Sequence, residues 1–235
     1  MPSEKNSYAQ ENRSFSFMKC YRHCLILLLS FFSFRSEAQQ VFVEGVIRYS
    51  VSIGPVSDST GFTEHAGTYT IIVKGSQLRK ELAMNTGYKN VILTNGNTSA
   101  AYSLQSTGGQ SYAIQLSMQD LKDRQKPYEG FKLQDFPGKM TIAGLPCEKA
   151  SVTYKDGSKS SLYYTTMWAT SEGSMYDRFP GIKNIPMAFE YRNDDGIVMH
   201  FQAEKLDAVP VESALFRVPP DYKIISNAEY KQQRR

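Results

Sequence analysis

Asn95-Gly96 stands between Tyr88–Thr94 and Thr98–Leu104, two runs in which polar and apolar residues alternate. Both turn residues tolerate a positive φ, which a two-residue hairpin requires, so the stretch reads as two strands folded onto each other. The pattern recurs along the chain. Gly75-Ser76 separates Thr68–Lys74 from Leu78–Met84, Asp156-Gly157 separates Glu148–Tyr154 from Ser160–Thr166, and Asn193–Gly196 separates Met187–Arg192 from Ile197–Leu206. Further strands are expected over Phe42–Ser52, Ser111–Leu116 and Lys139–Ile142, with Phe216–Ile225 closing the series. The stretch Val56–Ala66, rich in Ser, Thr and Gly, reads as a loop. Aromatics make up 12% of the 235 residues, an enrichment that suits pleated strands better than helices.

One helix interrupts the strands. Ser117 can cap Met118–Lys126, with Asp120 in the first turn, basic residues in the last, and Pro127 as the stop. No linker rich in Pro and Ser divides the chain, and no repeat of solenoid or propeller length is visible. About ten short strands in succession cannot stay a flat open sheet. The expected class is mainly β: a single curled or half-open antiparallel β-barrel with one short covering helix.

Upstream of the strands lies an address. Lys19 and Arg22 form a positive stub, Cys24–Phe34 is almost wholly apolar, and Ser36-Glu37-Ala38 has small residues where a signal peptidase reads. The apolar run falls well short of the roughly 20 residues that span a bilayer, so a cleaved secretory signal is expected rather than an anchor. The pattern begins at Met18, which is the expected true start behind a polar extension over Met1–Phe17. The expected organisation is therefore an upstream extension and signal over 1–38, a barrel-like domain over 39–226, and a polar basic tail over 227–235. Cys20 and Cys24 leave with the signal, and Cys147, left alone, cannot close an internal disulfide. A lone Cys of this kind reads as a small buried hydrophobe.

Chemistry is hard to draw from what remains. A net charge of +4 gives no reason to expect nucleic acid as a partner. Lys74, Arg79, Lys80 and Lys89 cluster, but the interleaved Glu81 makes them read as a solvated face. His65 and His200 are isolated, with no second ligand at metal-binding spacing, so no metal is expected. Asp194-Asp195-Gly196 lacks the remaining oxygens of a calcium loop and reads as a turn. No nucleophile elbow and no glycine-rich phosphate loop occur, and no cofactor is implied. Cys147 with His200 is the one nucleophile–base pairing that can be composed, and no third orienting group accompanies it. A non-enzymatic protein is expected.

Apolar residues are the remaining signal. Seven Met from Met84 to Met199, the single Trp168, and many Tyr and Phe would fill any ordinary core. The other reading is a barrel that keeps an apolar cavity for a lipid-type ligand. Met118, Leu121, Trp168, Met175 and Phe179 are then the candidate ligand-binding residues, with the helix and the loop from Trp168 to Phe179 as a movable cover. Cavity size separates the two: an apolar space above roughly 300 Å3 favours a ligand, a smaller one a filled scaffold.

A resemblance bears on the same choice. Lys139–Ala150, with its Thr-Ile-x-Gly-x-x-Cys-x-Lys turn, resembles a family of secreted Gram-negative envelope proteins of unassigned function. Gly45–Tyr49, Ile185–Glu190 and Phe216–Ile225 follow the same family in order, although Leu145-Pro146 stands where the family has an aromatic. The resemblance implies a fold similar to the LolA and LolB lipoprotein carriers, a half-open antiparallel barrel with a helical cover. It also implies export to the periplasm or the outer-membrane region of a Gram-negative cell. The expected function is a binder of an apolar or lipid-type ligand in that half-barrel; the alternative is a structural or protein-interaction module of the cell envelope with a filled core and no ligand.

Overall fold

A computed structural model describes residues 39–54, 64–107, 109–192 and 197–233. The expected signal segment, most of the Val56–Ala66 loop and the Asn193–Gly196 turn lie outside the described residues. Strands dominate. They are β1 (Gln40–Phe42), β2 (Glu44–Gly54), β3 (Glu64–Lys74), β4 (Gln77–Met84), β5 (Lys89–Asn95), β6 (Ala100–Thr107) and β7 (Gln110–Gln115). After helix α1 (Met118–Gln125) come β8 (Lys132–Ile142), β9 (Leu145–Thr153), β10 (Lys159–Thr170), β11 (Asn184–Arg192), β12 (Val198–Asp207) and β13 (Lys223–Ser226), then helix α2 (Asn227–Gln233).

All thirteen strands join one sheet, in the order β13-β7-β6-β5-β4-β3-β2-β12-β11-β10-β9-β8, with β1 attached to β10. The two ends of that order, β13 and β8, do not pair with each other, so the barrel is half open as expected. Most pairs are antiparallel, and two are parallel: β1 on β10 and β13 on β7. The parallel pairs arise where a chain end returns to a free stretch of edge, a long-range event that hairpin signals do not announce.

The hairpins show how local chemistry fixes register. Lys74 lies opposite Gln77, so Gly75-Ser76 is the two-residue turn its sequence called for. At the connection from β5 to β6 the pairing starts at Asn95 opposite Ala100, and the turn is Gly96–Ser99 rather than Asn95-Gly96. There the Asn95 side chain accepts a bond from the Asn97 amide at 3.0 Å, and Ser99 takes the positive φ. An Asx bond of this kind competes with the tighter turn.

Three other elements differ from expectation. The first strand breaks at Val43 into β1 and β2, which pair with different neighbours. Strand β8 begins at Lys132 instead of Lys139 and is exposed along nearly its whole length. Pro137-Gly138 forms a bulge between Phe136 and Lys139, which an edge strand tolerates because its outer side needs no donor. The C-terminal stretch holds helix α2, capped by Ser226 and Glu229, which bond each other's backbone and side chain.

Apolar side chains collect in three places. The principal core lies inside the curl of β2, β3, β4 and β9–β12, around Tyr49, Phe42, Leu162 and Met187. A second cluster, Ile92, Ala101 and Ile114, is covered by Leu121 of α1 and Tyr230 of α2. On the opposite face of the same strands, Val91, Leu93 and Leu104 pack under Val218 and Tyr222. Residues 39–235 form one compact unit.

Candidate functional site

The segment between β10 and β11 decides what the barrel can hold. Gly181 donates to the Gly173 carbonyl at 3.0 Å, closing residues 173–181 into a compact loop. Met175 and Phe179 are 0% exposed and Tyr176 is 3% exposed, all within the principal core. The loop thus sends Met175, Tyr176 and Phe179 into the interior of the curl, while Asp177 and Arg178 stay at the pocket's rim. Its aromatic rings are met edge-on: Phe179 sits 5.5 Å from Phe189, which in turn stacks on Phe201 at 4.7 Å with the planes 6° apart. Edge-on and offset rings are the preferred aromatic packings, so the loop fits the wall it covers.

Polar bonds hold the same loop. Tyr49 on β2 donates to the Pro186 carbonyl at 2.9 Å, so the 2.6 Å bond between its oxygen and the Tyr176 hydroxyl has Tyr176 as donor. Burial pushes the hydroxyls of Tyr49 and Tyr176 well up from their ordinary range. Lys80, 5% exposed on β4, reaches Asp177 at 2.6 Å and the Ser174 carbonyl at 3.2 Å. Burial by itself would raise the Asp177 carboxyl, but the Lys80 ammonium, with help from Arg124, holds it below the usual carboxylate range. Arg178 lies flat on Tyr191, 3.0 Å from the ring centre, and donates to the Tyr128 hydroxyl at 2.6 Å.

What the loop leaves open is a pocket of about 220 Å3. Tyr69, Leu82, Phe189, Tyr191, Met199 and Phe201 form its apolar wall, and Lys80, Arg124, Asp177 and Arg178 its charged rim. Two larger hollows, about 380 Å3 each, are more polar. One lies between α1 and α2 beside Asp120, Asp123 and Lys231, the other beside Asp156, Lys159 and Glu190.

The candidate ligand residues are dispersed over this landscape. Phe179 lines the pocket and also fills the core, whereas Met175 is wholly core. Trp168 stands edge-on to Phe42 at 5.9 Å, packed against the principal core. Leu121 belongs to the separate cluster under the helices, and Met118 is 51% exposed. Helix α1 buries no residue completely and touches the pocket through Arg124.

Sequence reasoning missed the pocket wall and the Lys80–Asp177 pair. A signal for the pair existed: Leu78, Lys80 and Leu82 share one face of β4, and a Lys in an apolar row needs a partner. The basic cluster is accordingly not a solvated face. Lys74 pairs with Glu44 at 2.6 Å, and Arg79 and Lys89 both pair with Glu81. Cys147 and His200 turn to different neighbours: the thiol donates to the Leu145 carbonyl at 3.4 Å, and His200 faces Glu190 at 3.4 Å. Burial raises the Cys147 thiol, away from the reactive thiolate. Among the described residues no group of His, Cys, Asp and Glu is placed to hold a metal, and no helix is long and apolar enough to cross a membrane.

No protein-family model matches the chain, and no curated protein matches it in sequence. Its course is similar to that of several solved structures. MucB in the Pseudomonas aeruginosa MucA/MucB complex is 16% identical, with a TM-score of 0.38, over 77% of this chain and 58% of that one. The Mycobacterium tuberculosis lipoprotein LppX is 12% identical, with a TM-score of 0.39, over 72% of this chain and 89% of that one. A LolA superfamily protein from Nitrosomonas europaea is 12% identical, with a TM-score of 0.31, over 74% and 91%. This chain therefore spans less than two thirds of MucB. Likenesses of this degree say nothing about ligand, partner or activity.

Proposed function

We propose that this chain is a non-enzymatic protein-interaction module of the cell envelope, exported by the signal-like segment over Met18–Ala38. The observation that carries the reading is the filled barrel. With Met175, Tyr176, Phe179 and Ile182 buried inside, the apolar space left is about 220 Å3, below the size at which a lipid-type ligand becomes the better account. An apolar pocket that small, walled by aromatic rings and opening beside charged groups, has the proportions of a protein hot spot, where one large side chain anchors a partner.

The test is made on residues 39–235 purified under native conditions. Solvent extraction followed by mass spectrometry should find no apolar molecule at a stoichiometric level. A photo-crosslinking residue at Asn90, on the pocket rim, should capture one defined protein in the producing cells, while the same group at Gln110 should not. A lipid recovered at about one per chain would overturn the reading. A second reading, a small apolar ligand in the same pocket, draws on the wall of Tyr69, Phe189 and Phe201, which would suit such a molecule equally well.

A further inference from the structure

The rim of the pocket is unevenly charged. Lys80 and Asp177 neutralise each other at 2.6 Å. Arg124, exposed on α1, adds its charge to that of Lys80 on Asp177 at longer range, with no hydrogen bond or close ion pair of its own among the described residues. Arg178 has its face against Tyr191 and one N–H on Tyr128, with no carboxylate partner among the described residues. Three cations thus face one carboxylate around an apolar hollow. A guanidinium stacked on a ring presents its remaining N–H groups edgewise, a geometry that suits a carboxylate better than an ammonium would.

We infer that the partner of this pocket is an acidic peptide segment that seats one aromatic or branched aliphatic side chain in the hollow and sets a neighbouring carboxylate against Arg124 and Arg178. The assignment rests on the interaction reading above and adds the chemistry of the partner. Volume selects a single side chain over a long acyl chain, because about 220 Å3 holds the first and not the second without the loop leaving. Charge then selects among peptides, since an apolar anchor flanked by lysines would bring like charges together at the rim.

Fluorescence anisotropy on residues 39–235, one compact unit, tests it with short labelled peptides. The first carries a central phenylalanine flanked by glutamates, the second replaces the glutamates by lysines, and the third replaces the phenylalanine by glycine. The acidic phenylalanine peptide should bind about tenfold or more tightly than either control, and more tightly still at low salt. Arg124→Glu, at an exposed helix position, should weaken it about tenfold, Arg124→Lys far less, and Leu82→Trp should abolish it by filling the hollow. Equal binding of the acidic and basic peptides, or no effect of Arg124→Glu, would overturn the acidic assignment and leave the interaction reading standing. Failure of every peptide while decanoate binds, and binds no longer in Leu82→Trp, would overturn the interaction reading itself.

Discussion

Tyr49 and Tyr176, 127 positions apart, share a 2.6 Å hydrogen bond inside the barrel, and only one of them can be its donor. The Tyr49 proton is committed to the Pro186 carbonyl, so the two hydroxyls are not equivalent. Tyr176→Phe removes a donor but leaves Tyr49 bonded to Pro186, at a cost of about 1 kcal/mol. Tyr49→Phe leaves the Tyr176 hydroxyl without its acceptor and takes a bond from the Pro186 carbonyl in a dry interior, at a cost of about 2 kcal/mol or more. Denaturant melts of the two variants should rank in that order. Equal losses would mean that the chain of bonds does not run as described.

The same burial makes the fold sensitive to alkali. Tyr49, Tyr69 and Tyr176 are all shifted well up by burial, and Tyr154, also by burial, to about 12, whereas in an unfolded chain each titrates near its ordinary value of 10.0. Below that value both states keep their protons and stability does not depend on these groups. Above it the unfolded chain gives up protons that the folded chain keeps, so stability falls as pH rises. Tyrosinate absorbance should therefore rise in two stages, exposed rings first and the buried set only with the loss of tertiary structure. A single smooth titration with the fold intact would contradict the burial of these rings.

Lys80 and Asp177 hold the interior loop, yet they are not equally replaceable. Lys80 is almost wholly buried, and Asp177→Ala would leave its ammonium in an apolar wall with only the Ser174 carbonyl, a loss of about 2–3 kcal/mol. Asp177 keeps partial access to water and has Arg124 nearby, so Lys80→Met should cost less, about 1 kcal/mol. Because the Asp177 carboxyl is held below its ordinary value, the pair's contribution is present at neutral pH. It is lost as pH falls below the ordinary carboxylate value of 3.8. Hydrogen exchange over residues 171–183 is the measurement: protection should drop in Asp177→Ala first, and in the parent chain on acidification.

Asp120 does two jobs that link the helices. It caps α1 through Ser117, accepting from the Ser117 hydroxyl at 2.6 Å, and its other oxygen accepts from Asn227 at the start of α2 at 2.6 Å. The bonds from Ser117 lower its carboxyl, and those from Ser226 lower Glu229, so both caps are intact at neutral pH and are lost as pH falls below the ordinary carboxylate values. Asp120→Ala should cost about 1 kcal/mol and reduce exchange protection in both α1 and α2. Protection lost in α1 alone would show that the bond to Asn227 carries no weight.

These residues also mark how far the sequence could be read. The capping of α1 was legible because Ser117 and Asp120 are three apart and every partner is local. Ser226 and Glu229 offered the same spacing for α2, but the polar stretch after them masked it, since Tyr230 alone ties the helix to an apolar cluster. The half-open barrel followed from hairpin after hairpin, each set by neighbours in the chain. The pocket could not be read that way. Its walls come from β3, β4, β11 and β12 and its plug from a segment without periodicity, so only the closed fold shows that Met175 and Phe179 fill the interior.

Gly45 gives a last, purely steric test of that architecture. It holds a φ of +148°, and a Cβ placed there would lie 2.1 Å from the Asp207 carbonyl oxygen and 2.8 Å from the Phe42 ring. Neither neighbour can yield cheaply. The oxygen belongs to β12, paired with β2 across Val46 and Asp207, and Phe42 is fully buried beside Trp168. Gly45→Ala should therefore cost about 3 kcal/mol, from backbone strain and crowding together. Gly157, at φ +82° with nothing within 4 Å of an added Cβ, carries the backbone cost alone, about 1 kcal/mol as Ala. The difference between the two variants in thermal or denaturant unfolding measures the crowding. If Gly45→Ala were no worse than Gly157→Ala, β2 and β12 could not lie as close as their pairing requires.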